Sequence, residues 1–166
     1  MYLALRAARA AILSALGCVA LVTVVPPLLG WQSTIVISGS MAPAIRTGDV
    51  VLSAPLRAPD ATALPVGAVV LATDPGRAHD LLMHRVVAHN ADGTLTTKGD
   101  ANPIADTTPM PTANVRGVGR IRVPYVGIPV LRARHGEWLP ALAVLALVAL
   151  SMIMKDPRRQ SASDLS

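Results

Sequence analysis

Residues 10–31, AAILSALGCVALVTVVPPLLGW, carry no charged side chain, and an apolar run of that length is what the hydrocarbon core of a bilayer demands of a spanning helix. A second run, residues 138–154, WLPALAVLALVALSMIM, is near the lower length limit and equally free of charge. Two membrane helices are expected. Whatever folds between them must leave and re-enter the membrane on one side.

A removable secretory signal would have an apolar core of only roughly 7 to 15 residues and a small-x-small exit. The first run is longer and closes on no such site, so an uncleaved anchor is the better fit. Arg6 and Arg9 precede it, and Lys155, Arg158 and Arg159 follow the second run. The positive-inside rule then divides the chain into a cytoplasmic N-terminus (1–9), a span (10–31), an extracytoplasmic domain (32–137), a second span (138–154) and a cytoplasmic tail (155–166). Arg132 and Arg134, on the outer flank of the second run, pull the other way. The expected location is the cell membrane, multi-pass, with the lipid bilayer as a partner.

The net charge of +5 raises the question of a nucleic-acid partner. Aromatic residues are only 2% of the chain, and the basic residues between Arg46 and Arg134 are scattered, so neither a stacking platform nor a basic face is evident. No nucleic acid is expected. The single cysteine, Cys18, lies inside the first apolar run, which removes intrachain disulfides and thiol chemistry from the domain beyond it.

Between the two runs the pattern changes to short β-branched stretches punctuated by glycine and proline. STIVIS, DVVLSA, GAVVLAT, LLMHRVVAH, GTLTTKG and GVGRIRVPYVG each read as a strand, with turns at RTGD, TDPGR, NADG and IPV. Helical periodicity is missing. The expectation is a mainly β protein: an antiparallel β-domain of about a hundred residues, large enough for its own core, flanked by the two spans. SAPLRAPDATALP and DTTPMPTAN, rich in proline, alanine and threonine, read as connections.

Within this domain, ISGSMAP (residues 37–43) places two serines around a glycine. A nucleophilic serine needs a tight turn, a base within reach and donors for a developing oxyanion. Gly39 permits the turn, and Ser38 offers a second hydroxyl beside the backbone N–H of Ser40. For the base there are His79, His84, His89 and His135, together with Lys98 and Lys155. On a strand His84 has the opposite parity from His79 and His89, so a three-histidine metal site is not expected. His84 shares its face with Leu82 and Val86, and imidazole is the base suited to neutral pH. Lys155 falls at the cytoplasmic end and Lys98 before a turn, which leaves histidine the stronger candidate. Asp100 and Asp106, six residues apart in GDANPIAD, are the carboxylates available to orient it.

In this order SGSMAP, HRV, TKGDAN with Asp106 following, and GRIRVPYVG resemble the signature of type I signal peptidases, in the branch of archaea, the endoplasmic reticulum and some Gram-positive bacteria. Most bacterial members carry lysine where this chain has His84. The resemblance covers roughly residues 33–127. It implies a signal peptidase-type β catalytic domain and a membrane-bound serine endopeptidase that removes signal peptides from exported preproteins, with small residues before the cut and no metal or organic cofactor. Carried onto matching positions, Ser40 is the nucleophile, Ser38 and the Ser40 N–H form the oxyanion hole, His84 is the general base, Asp106 its orienting carboxylate, and Asp100 supports the site. The segment between KGD and GRIRV is shorter than in longer relatives, and the resemblance leaves open whether a partner subunit is needed.

Tethering gives an argument of its own. Ser40 lies about ten residues beyond the first run, and an extended chain covers roughly 3.5 Å per residue, so Ser40 stays within about 35 Å of a bilayer surface. TIVI and Met41 fit either an apolar rim resting on the membrane or ordinary core. Two other readings compete: a self-cleaving serine protease of the repressor type, which would use Lys98, and a non-catalytic membrane-anchored β-domain that binds exported partners.

Overall fold

The computed structural model describes residues 2–56, 58–77 and 79–139, together with 142, 143, 146 and 149. A helix α1, Tyr2–Leu28, is followed by six strands: β1 Gln32–Ile35, β2 Val50–Pro55, β3 Val69–Thr73, β4 Leu81–His89, β5 Leu95–Lys98 and β6 Val115–Val123. All six lie where β-branched runs alternate with turn residues. They form one sheet in the order β1-β2-β6-β3-β4-β5, every neighbouring pair antiparallel. The protein is therefore mainly β, as its sequence pattern predicts.

The sheet buries side chains on both faces. Val70, Ala72, Val86, Leu95, Met110, Val115 and Val118 join one apolar cluster. On the other face Val36, Met41, Ile45 and Val51 form a second, with Val69 and Met83 packed against it. Successive residues of β3 thus serve opposite clusters, which is why VVLAT reads as an unbroken apolar run and not as an alternation. Each large side chain removed from water here contributes roughly 1.5–3 kcal/mol. Of the residues around ISGSMAP, Met41, at 1% exposure, and Val36 are core, while Ile37 is 70% exposed.

Two segments expected to be bare connections are more than that. SAPLRAPDATALP contains a 3₁₀ turn, Ala58–Ala63, and lends Ala61 and Leu64 to the first cluster. DTTPMPTAN places Met110 in a bridge to Leu95 and forms a 3₁₀ turn at Thr112–Asn114. IPV, expected as a turn, opens a short helix α2, Ile128–Arg134, in which proline occupies the first turn, where its missing N–H costs nothing.

The first charge-free run is helical within α1. Among the described residues, however, no helix is long and apolar enough to cross a membrane, so the expected flanking spans are not supported by the fold. Within α1 the side chains at 2–6, 16, 19, 22 and 23 lie outside the described set, and so does most of the expected second span, residues 138–154, and the whole expected tail, 155–166.

Candidate active site

Ser40 begins a compact turn that leaves β1 and returns toward β2. The Ala42 N–H donates to Gly39 O at 3.0 Å and the Ile45 N–H to Met41 O at 2.9 Å. Ala42–Pro43 is a cis peptide. The Met41 side chain anchors the turn in the second cluster, while Ser38 and Gly39 stay exposed and Ser40 half-buried. Ser38 Oγ and Ser40 Oγ are 3.3 Å apart. The two hydroxyls therefore lie side by side.

His84 comes from the middle of β4, opposite Val70 of β3, and is 6% exposed. Its Nδ1 is 2.6 Å from Asp106 Oδ2. The same oxygen accepts the Thr97 hydroxyl at 2.6 Å, and the Asp106 N–H donates to Thr97 O at 2.8 Å. Thr97, fully buried on β5, thus holds Asp106 by both backbone and side chain. A carboxylate only accepts, so this pairing puts the proton of a neutral imidazole on Nδ1 and leaves Nε2 with its lone pair.

Nε2 points toward the serine turn. A Cβ added at Gly99 would lie 2.7 Å from Ser40 O, 2.9 Å from Asn102 Nδ2 and 3.0 Å from His84 Nε2. Serine backbone, histidine ring and the turn after β5 therefore converge on one point that only glycine leaves open. The Ala101 N–H donates to Ser40 O at 2.8 Å, and the Asn102 N–H to Gly99 O at 3.0 Å, which ties the serine turn directly to TKGDAN. Among the described residues no hydrogen bond joins Ser40 Oγ to His84; the hydroxyl is paired with Ser38 instead.

The structure separates the two aspartates that the sequence leaves unranked. Asp106 meets His84, whereas Asp100 takes Arg85 in a two-pronged ion pair, Nε to Oδ1 at 2.8 Å and Nη2 to Oδ2 at 2.6 Å. Arg85 Nη1 also donates to Gly67 O at 2.7 Å. The hydrogen bonds from Arg85 hold the Asp100 carboxyl below its ordinary pKa, aided by the positive charges of Arg85 and Lys98 and opposed by burial. The same bonds raise the Arg85 guanidinium. Lys98 lies opposite Arg85 in the β4–β5 register.

The remaining histidines stay apart. His89 bonds Leu64 O at 2.7 Å through Nε2, and His79 is exposed. Among the described residues no three of His, Cys, Asp or Glu are grouped as metal ligands would be.

One residue that sequence reasoning passed over is Asp49. It is 1% exposed, accepts the Arg46 N–H at 2.9 Å and the Tyr125 N–H at 3.2 Å, and pairs with Arg122 Nε at 3.5 Å. Arg122 also donates through Nη1 to Ala44 O. Asp49 therefore clamps the end of the serine turn to the end of β6. Its sequence signal was the carboxylate directly before the apolar run VVLSA, at the close of RTGD, where a solvated turn residue and a buried acceptor look alike.

No family model matches the chain, and no curated protein matches it either.

Proposed function

We propose that this protein is a membrane-tethered serine endopeptidase that cuts signal peptides from exported preproteins. The observation that carries the reading is the convergence of Asp106, His84 and the Ser40 turn around Gly99. Three groups whose chemistry is complementary, drawn from three separate segments, come close together, as acyl transfer to a serine requires.

On this reading Ser40 Oγ attacks the scissile carbonyl carbon and His84 Nε2 takes its proton. Asp106 keeps the ring oriented and stabilises the imidazolium. The carbonyl oxygen, negative in the tetrahedral intermediate, is met by the Ser38 hydroxyl and the Ser40 N–H. His84 then protonates the departing amine as the C–N bond breaks, leaving an ester on Ser40. Water, deprotonated by the same imidazole, hydrolyses that ester and restores the serine.

Tethering rests on the charge-free runs at 10–31 and 138–154 of the sequence, and in α1 the side chains of Leu13, Leu21, Val24, Val25 and Leu28 are exposed. A helix that leaves large apolar side chains uncovered by its own chain suits a lipid environment. Extracytoplasmic placement of the β-domain follows from the flanking arginines and lysine.

The test incubates detergent-solubilised full-length protein, and its Ser40→Ala variant, with a preprotein bearing Ala-x-Ala at its junction. Wild type is expected to release one fragment cut directly after the second alanine, and Ser40→Ala none. Equal cutting by both, or no cutting by wild type, overturns the assignment.

A further inference from the structure

A cavity of about 450 Å³ is lined by Gln32, Ser33 and Thr34 of β1, Leu81 of β4 and Arg116 of β6. In the sheet order β1 and β4 are separated by β2, β6 and β3, so the sheet must curl for both to border one space. Both strands run in the same direction, from the cavity toward the candidate site. Thr34 is six residues before Ser40, and Leu81 is three before His84.

Both walls also offer unused backbone. Among the described residues β1 is the end strand of the sheet and pairs only with β2. β5 pairs with β4 from Arg85 onward, leaving residues 81–84 of β4 bound on the β3 side alone. An extended peptide is the ligand that such edges take, through main-chain hydrogen bonds. Three strand residues span about 10 Å, so a peptide with its scissile bond at Ser40 would pass the cavity some three to six residues away.

Which side of the cut that is follows from the tether, and here the inference rests on the proposed function. The cavity lies beside the start of β1, four residues past the end of α1, so along the chain it is nearer than Ser40 to the proposed tether. A preprotein held in the membrane by its signal reaches the site from that side. The residues in the cavity are therefore those before the cut.

We propose that Arg116 reads the charge of the substrate four to six residues before the cleaved bond, the third being the first small residue of the Ala-x-Ala junction. Its Nε donates to Thr73 Oγ1 at 3.0 Å, which fixes the guanidinium against β3, and none of the other cavity residues is charged. Among the described residues Arg116 is in no ion pair, so a cationic side chain in the substrate is repelled there while a carboxylate gains a partner. Arg116 touches neither Ser40, His84 nor Asp106 in the described hydrogen bonds, so it selects substrate without taking part in the chemistry.

The experiment uses full-length detergent-solubilised protein and three preproteins identical except for Glu, Gln or Lys at the positions four to six before one Ala-x-Ala junction. For wild type, kcat/KM should fall in the order Glu, Gln, Lys, with about fivefold between the extremes, as exposed charge contacts of this kind yield, and the difference should lie in KM. Arg116→Gln should flatten the series and Arg116→Glu reverse it. A flat wild-type series, with the Gln substrate still cut in a Ser40-dependent way, overturns the role of Arg116 and leaves the proteolytic reading intact. A graded series that Arg116→Glu leaves unchanged overturns it equally. Failure to cut any of the three overturns both. Should Arg116→Glu not fold, the wild-type series and the neutral variant decide.

Discussion

Asp106 Oδ2 lies 2.6 Å from His84 Nδ1, on the opposite side of the ring from the nitrogen that faces the Ser40 turn. Asn in its place can present its amide nitrogen to Nδ1 and turn the ring's proton onto Nε2, where a base must be free. Asp106→Asn is therefore expected to lower kcat on the order of 10²–10⁴-fold with KM little changed and the melting temperature near wild type. Steady-state kinetics on a preprotein substrate measures this; a fall in kcat below tenfold would remove Asp106 from the machinery.

Gly99 gives a steric prediction. The methyl of Gly99→Ala would sit inside normal contact distance of Ser40 O and at 3.0 Å from His84 Nε2. The backbone oxygen cannot rotate away, because it already accepts the Ala101 N–H. The turn must shift by several tenths of an ångström, at a cost of about 1–3 kcal/mol. Activity should drop more than tenfold even at temperatures where the variant is fully folded, since small misplacements at a reacting centre are costly. Denaturant midpoints and kcat, measured together, separate the two effects.

Asp49 predicts a loss of stability. Deleting its carboxylate leaves the Arg46 and Tyr125 N–H groups without their acceptor and Arg122 without its counter-charge. Asp49→Ala should lower unfolding free energy by about 3 kcal/mol. Asp49→Asn, which keeps a carbonyl acceptor, should recover part of it. Urea unfolding with an unchanged slope is the check, and a loss below about 1 kcal/mol for Asp49→Ala would mean that solvent satisfies these groups.

How far the sequence alone reached is explained by periodicity and by where contacts close. All six strands were legible, because β-branched runs bounded by Gly, Pro and Asp are a local signal. So was the shared face of Leu82, His84 and Val86, which follows from strand parity. Strand order was not: β6 inserts between β2 and β3 through pairings far apart in sequence, and no local pattern encodes that. Ala61 and Leu64 looked like loop because their apolar character is diluted by proline and aspartate. The 128–134 helix is too short to display a period. The division of labour between Asp100 and Asp106 was equally hidden: parity alone puts His84 and Arg85 on opposite sides of β4, but which aspartate meets which side chain depends on the β4–β5 register and on how the chain folds back after β5. Spacing alone could not choose between them.

That register yields the last prediction. Arg85 binds Asp100 through both carboxylate oxygens, and the carboxyl ionises below its ordinary range because these hydrogen bonds favour the charged form. A folded-state pKa lower than the unfolded one means that folding favours loss of the proton. The contribution is fully present above the unfolded carboxylate pKa of about 3.9 and is lost as pH falls through the lower, folded value. Asp100→Asn should therefore be less stable than wild type at pH 7, by about 1 kcal/mol given the partial exposure of Arg85 and the screening that follows. The two proteins should converge as the pH drops below about 4, because wild type then loses the same interaction. Unfolding midpoints measured from pH 7 down to 3 would trace the convergence; a gap that stays constant across that range would show that the ion pair does not supply the difference.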